Sequence, residues 1–159
     1  ALEQRLQHGF AKRLLAISAS LLLMSATAAS AEIYKDYTPD TGIWSETVVE
    51  VDPNHVDDYL VGLKASQVPA LEIMKKHGLI DNYIFMVKDG YNAGAPNVII
   101  ATHFVNAAAM EPDQARDQAI EKEIYAAFSK EKGEAAVAGY EKYRKFTEIN
   151  NWRTITFTK

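Results

Sequence analysis

The sequence contains no cysteine. That excludes a disulfide, a thiolate nucleophile and any cysteine-based metal site. It has no basic excess, with 17 Lys and Arg against 21 Asp and Glu, net −4 at pH 7. An acidic chain without a basic stripe is a poor nucleic-acid binder, so no nucleic acid is expected as a partner. No apolar run reaches the roughly 20 residues that a membrane-spanning helix needs. The four histidines show neither H-x-x-x-H nor H-E-x-x-H spacing, so no metal site is expected. G-x-S-x-G, a phosphate loop and a dinucleotide fingerprint are also missing, and GYNAGAPN reads as a plain glycine loop.

What is present begins with an address. Lys12 and Arg13 precede an 11-residue apolar run, LLAISASLLLM, and then SATAASA. A basic start, a short apolar stretch and an A-x-A ending make a cleavable signal peptide, cut after Ala31. Residues 1–31 are therefore read as an N-terminal extension with a signal peptide, and a periplasmic or secreted location is expected. Those residues hold Glu3, Arg5, Lys12 and Arg13, which leaves 14 basic and 20 acidic residues, net −6, in 32–159. That remainder suits a single domain with a real core.

Residues 32–43 are polar and turn-rich and read as a lead-in arm. Residues 44–51 form the first strand, with Trp44, Glu46, Val48 and Glu50 on one face. Asp52 is an N-cap and Pro53 suits the first helical position. Val56, Tyr59, Leu60, Leu63, Ala70, Leu71 and Met74 then make one apolar helical stripe. Gly78 is the left-handed stop, and Pro69 predicts a kink or break. Residues 79–88 hold a second strand, 89–97 a long hairpin loop, and 98–105 a β-branched central strand. A second helical region follows. Asn106 caps a short turn, Ile120, Ile124, Ala127 and Phe128 form one stripe, and Ala136, Tyr140, Tyr143 and Phe146 form another. Gly133 is the expected break between them. Residues 152–159 close with a fourth strand.

The order β-α-β-β-α-β is the ferredoxin-like pattern. It predicts a four-stranded antiparallel sheet with the helices on one face. The strands carry apolar residues on both registers, so the other face is expected to bury itself against a second copy. Residues 44–159 are read as one such α+β domain.

The stretches TVVEVDPNHVDDYLVGLKASQVPALEIMKKHGLIDNYIFMV, VIIATHFVNAAAM and WRTITFTK resemble the dimeric α/β-barrel superfamily. That group includes antibiotic-biosynthesis monooxygenase-like, NIPSNAP-like and EthD-like domains. The chain is most similar to its exported bacterial members with no assigned activity. The resemblance implies two sheets, one per subunit, closing a barrel that can hold a small apolar molecule. The Asn–Trp–His set of haem-degrading members finds no residue-by-residue match, and no cofactor is expected.

His103 is the titratable residue inside the most apolar strand. It is a candidate general base facing a cavity, or a histidine satisfied by hydrogen bonds at an interface. Trp44 and Trp152 are candidates for stacking on a flat ligand, or plain interface aromatics. Glu46, on the Trp44 face with Glu50, is a candidate ligand-site carboxylate, or one of two exposed strand carboxylates, and Tyr83 is a candidate hydroxyl donor with core packing as the alternative. Two readings stay open. One is a periplasmic binding or interaction module for a small hydrophobic ligand. The other is a cofactor-independent monooxygenase-like enzyme centred on His103.

Overall fold

A computed structural model describes residues 30–90 and 92–159. The leader reading of residues 1–31 lies, up to residue 29, outside the described residues. Nine elements follow in order: β1 (Tyr37–Pro39), β2 (Ile43–Val51), α1 (Val56–Lys76), β3 (Ile80–Val87), β4 (Val98–Phe104), α2 (Gln114–Ala127), α3 (Lys130–Tyr140), β5 (Arg144–Trp152) and β6 (Ile155–Phe157). The main sheet has the order β3-β4-β2-β5, with every neighbouring pair antiparallel. This is the ferredoxin-like α+β fold, with β2 and β4 at the centre.

The caps follow from local chemistry. The Asp52 carboxylate accepts from the Asn54 amide and opens a 3-10 turn, Pro53–His55, before α1 begins at Val56. At the far end the Gly78 amide donates to Lys75 and the Leu79 amide to the Met74 carbonyl. Gly78 sits at φ 71°, which completes a Schellman stop at a conformation that glycine adopts freely. Pro69 lies inside an unbroken helix, so of the kink or break expected there a break does not occur. The helix is held on both sides of the proline, by Leu63 before it and Leu71 and Ile73 after it, all buried. Burial at about 1.5–3 kcal/mol per large side chain outweighs the hydrogen bond the proline removes.

The helices cover one sheet face. One core cluster joins Val49, Val51, Val98 and Ile100 of the sheet to Tyr59 and Leu63 of α1 and Tyr140 of α3. The other joins Leu71, Ile73, Leu79 and Ile80 to Ile120 of α2.

Three expectations are corrected. The second helical region breaks at Phe128 and Ser129, not at Gly133. Ser129 accepts from the Lys132 amide and caps α3, and Gly133 lies within that helix. Tyr143 and Phe146 do not continue the Tyr140 stripe, because α3 ends at Tyr140 and Phe146 belongs to β5. The fourth sheet strand is therefore Arg144–Trp152 instead of 152–159. The chain end forms β6, which pairs with β1 in a separate two-stranded ribbon. The lead-in arm thus contains a strand. Its partner lies more than a hundred residues away, which no local pattern reveals.

Candidate functional site

The sheet face turned away from the helices is laid out in rows by the strand register. Trp152, Trp44, His103 and Asn82 stand side by side across β5, β2, β4 and β3. The next row is Asn150, Glu46, Ala101 and Ile84, and the next is Glu148, Val48, Ile99 and Met86. The β5 side is thus polar below its tryptophan, and the β3 side is apolar. Trp152, Met86 and Ile84 are 56%, 42% and 38% exposed. Val48, Met86 and Ile99 border a shallow depression of about 250 Å³.

His103 occupies a built environment within the first row. Its ring centroid is 4.8 Å from that of Trp44, tilted by 43°. The opposite side of the imidazole rests on Gly42, where an added Cβ would come within 2.3 Å of Nε2. The β3–β4 register shifts between Ile80 and Asn82, so Asp81 is the unpaired residue of a β-bulge. A bulge re-aims a side chain, and here the Asp81 carboxylate meets His103 Nδ1 at 2.5 Å. A carboxylate accepts, so Nδ1–H donates and the Nε2 edge of the ring lies toward Gly42. The His103 side chain remains 14% exposed. Chemically this is an oriented base or hydrogen-bond acceptor beside an indole.

Of the sequence candidates, Trp44, Trp152 and His103 share one row and Glu46 lies in the next. Tyr83 does not join them. It faces the helices, packs against the Leu71 cluster, and its hydroxyl donates to Glu72 of α1 at 2.5 Å. That bond, together with burial, raises the Tyr83 phenol above its ordinary pKa and suits a packing role. Asp81 and Gly42 were missed. Their signals are an acidic residue at the entry of an apolar strand and a glycine just before the first strand.

The four clefts outlined among the described residues lie away from His103, Trp44 and Trp152. The row is an open surface in the single chain. No group of three or more His, Asp or Glu among the described residues is arranged to hold a metal ion. No described helix is long and apolar enough to cross a membrane.

No protein-family model matches the chain, and no curated protein matches it. Solved structures similar to it include a dimeric ferredoxin-like protein of unknown function from Thermobifida fusca YX, 13% identical, TM-score 0.38, covering 75% of this chain and 92% of that one. A dimeric protein of unknown function with a ferredoxin-like fold from Bacteroides fragilis NCTC 9343 is 12% identical, TM-score 0.36, covering 76% and 100%. A dimeric ferredoxin-like protein from an uncultured marine organism is 18% identical, TM-score 0.37, covering 77% and 99%. Likeness this distant carries over no assembly, ligand or activity.

Proposed function

We propose that this chain is an exported homodimeric barrel protein that encloses a small apolar molecule between two sheets. The observation that carries the reading is the uncovered sheet face. It presents two tryptophans, Ile84, Met86 and Ile99, and Trp152, Met86 and Ile84 on it are exposed. Apolar surface of that kind marks an interaction site. Two-fold pairing of such faces is the simplest way for one gene product to cover it. In the closed form Trp44, Trp152 and the polar Glu46 would line the space, with His103 as the oriented acceptor. The leader pattern supports a periplasmic or secreted place.

The test is native mass spectrometry of the protein recovered from the cell envelope after expression of the full chain. A dimer of chains starting at Glu32 with a reproducible added mass is the expected result. An empty dimer would keep the assembly and remove the ligand. A monomer would sink the barrel, and an unprocessed chain would sink the export.

The Asp81–His103 pair favours one second reading, a cofactor-independent monooxygenase-like enzyme. There Nε2 would take a proton from an activated substrate carbon or hydroxyl while Asp81 steadies the imidazolium. If so, Asp81→Asn should lower turnover of any substrate found and leave its binding nearly unchanged. An equal loss of both would return His103 to a packing role.

A further inference from the structure

A second cleft, of about 600 Å³, opens at the end of the sheet between the 88–97 loop and the segment that leads into β5. Its lining is cationic although the chain is acidic. Lys88, Lys142, Arg144 and Lys145 all contribute to it, against Glu50 and Asp52. Four cations against two carboxylates leave the lining net positive. Glu50 lies 4.0 Å from Lys145, and Asp52 accepts from the backbone and side chain of Asn54 at 2.9 and 3.2 Å.

Among the described residues no carboxylate pairs with Arg144 or Lys142. Arg144 is half-buried, and its guanidinium is set over the rings of Phe146 and Tyr140, 4.3 and 5.3 Å from their centroids. Ring contacts use the faces of a guanidinium. Its N–H fork points in the plane and suits a two-oxygen acceptor. The ammonium of Lys142 stands 4.8 Å over the Tyr143 ring, and that ring is itself stacked on His55 at 3.7 Å. The facing wall is pre-set. Asn97 accepts from the Val51 amide and donates to the Val51 carbonyl, both at 2.8 Å, which ties the loop to β2. Beside Arg144 lies the buried Tyr59 hydroxyl. Burial raises its pKa, and the nearby guanidinium opposes that rise.

We infer that this cleft binds an oxyanion, a carboxylate or phosphate group carried by a small molecule, with Arg144 as the fork and Lys142 as the second cation. Arg144 and Lys142, which carry the site, are not among the side chains that form the Trp44–His103 row.

The experiment is an amide NMR titration of the intact protein with inorganic phosphate and, separately, with benzoate. At least one probe should give saturable shifts confined to residues 50–56, 88–97 and 141–145. Arg144→Gln should weaken that binding about tenfold or more, the usual scale for a lost charge-assisted pair. Lys142→Gln should weaken it less, and Lys130→Gln, outside the cleft, should leave it unchanged. Saturation by phosphate alone assigns a phosphate-bearing ligand, and saturation by benzoate alone assigns a carboxylate. If Arg144→Gln fails to fold, Arg144→Lys and the exposed Lys142→Gln carry the test. Absence of saturable shifts with both probes, or binding indifferent to Arg144 and Lys142, would overturn the inference.

Discussion

At the scale of single residues, the open sheet face turns on how His103 is held. Gly42 leaves room for the imidazole, Trp44 flanks it and Asp81 fixes its Nδ1 proton. Gly42→Ala should force the ring aside and destabilise the fold by about 1–3 kcal/mol, the range for overpacking. Urea unfolding measures it, and an unchanged midpoint would mean that the ring has room to spare. A second residue-level device joins α1 to α2. Glu123 accepts from Lys76 and, at 2.7 Å, from His77. Lys76 first and then His77 hold the Glu123 carboxyl below its ordinary range. A carboxylate with a depressed folded pKa contributes stability above its unfolded value, about 4.3, and loses it as pH falls through the folded one. Wild type should therefore exceed Glu123→Gln in stability at neutral pH, and the gap should close on acidification below that value. A gap that stays constant down to pH 2 would assign the effect to packing.

Elements meet through small residues and caps. Gly62 of α1 lies against Tyr140 of α3, where an added Cβ would fall 2.1 Å from the ring carbon Cδ1. The same tyrosine hydroxyl is 2.8 Å from Ser66 Oγ. Alanine gains about 1 kcal/mol over glycine inside a helix, yet here the overlap should win. Gly62→Ala should lower the thermal midpoint, and a rise would show that the two helices slide apart freely. The break between α2 and α3 belongs to Ser129, whose side chain accepts from the Lys132 amide at 3.3 Å. Ser129→Ala should cost about 1 kcal/mol in a chemical denaturation series. Gly133, the expected breaker, instead keeps contact with Phe128, since a Cβ there would sit 3.1 Å from Phe128 Cε1. Both outcomes have one cause: a hydroxyl that satisfies an open amide starts a helix more effectively than one glycine stops it.

For the whole molecule, the uncovered face is the feature with the largest consequence. The apolar corner at Ile84 and Met86 lies on the edge strand β3, beside the central strand β4. In the proposed dimer, replacing both by aspartate would set two charges in a buried sheet-on-sheet contact, where an unpaired charge costs several kcal/mol. If the proposed dimer forms, the double variant should sediment as a monomer at concentrations where the wild-type protein sediments as a dimer, with its circular dichroism unchanged. A dimer that survives the exchange would move the interface elsewhere on the surface. The β1–β6 ribbon offers a different exposed region, with Phe157 and Ile155 73% and 46% exposed.

The sequence by itself determined the frame. The alternation in β2, β3 and β4, the Asp52 and Asn106 caps and the Gly78 stop are local events, settled by hydrogen bonds within a few residues. Hydrophobic order was enough to place the first three sheet strands within one or two residues, and α1 apart from its first turn, which is the 3-10 turn Pro53–His55. The last strand was misplaced because Arg144–Trp152 carries little apolar alternation. An edge strand with most of its side chains exposed has no buried face to announce it. Trp44, Glu46, Trp152 and His103 could be named from residue type. That the first, third and fourth stand in one row, and that Tyr83 turns away from it, was decided by register. Asp81 reaches His103 through a bulge, and the cations of the second cleft gather from two segments more than fifty residues apart. Such meetings depend on long-range pairing, where one residue of slip exchanges the two faces of a strand, and only the folded sheet fixes that choice.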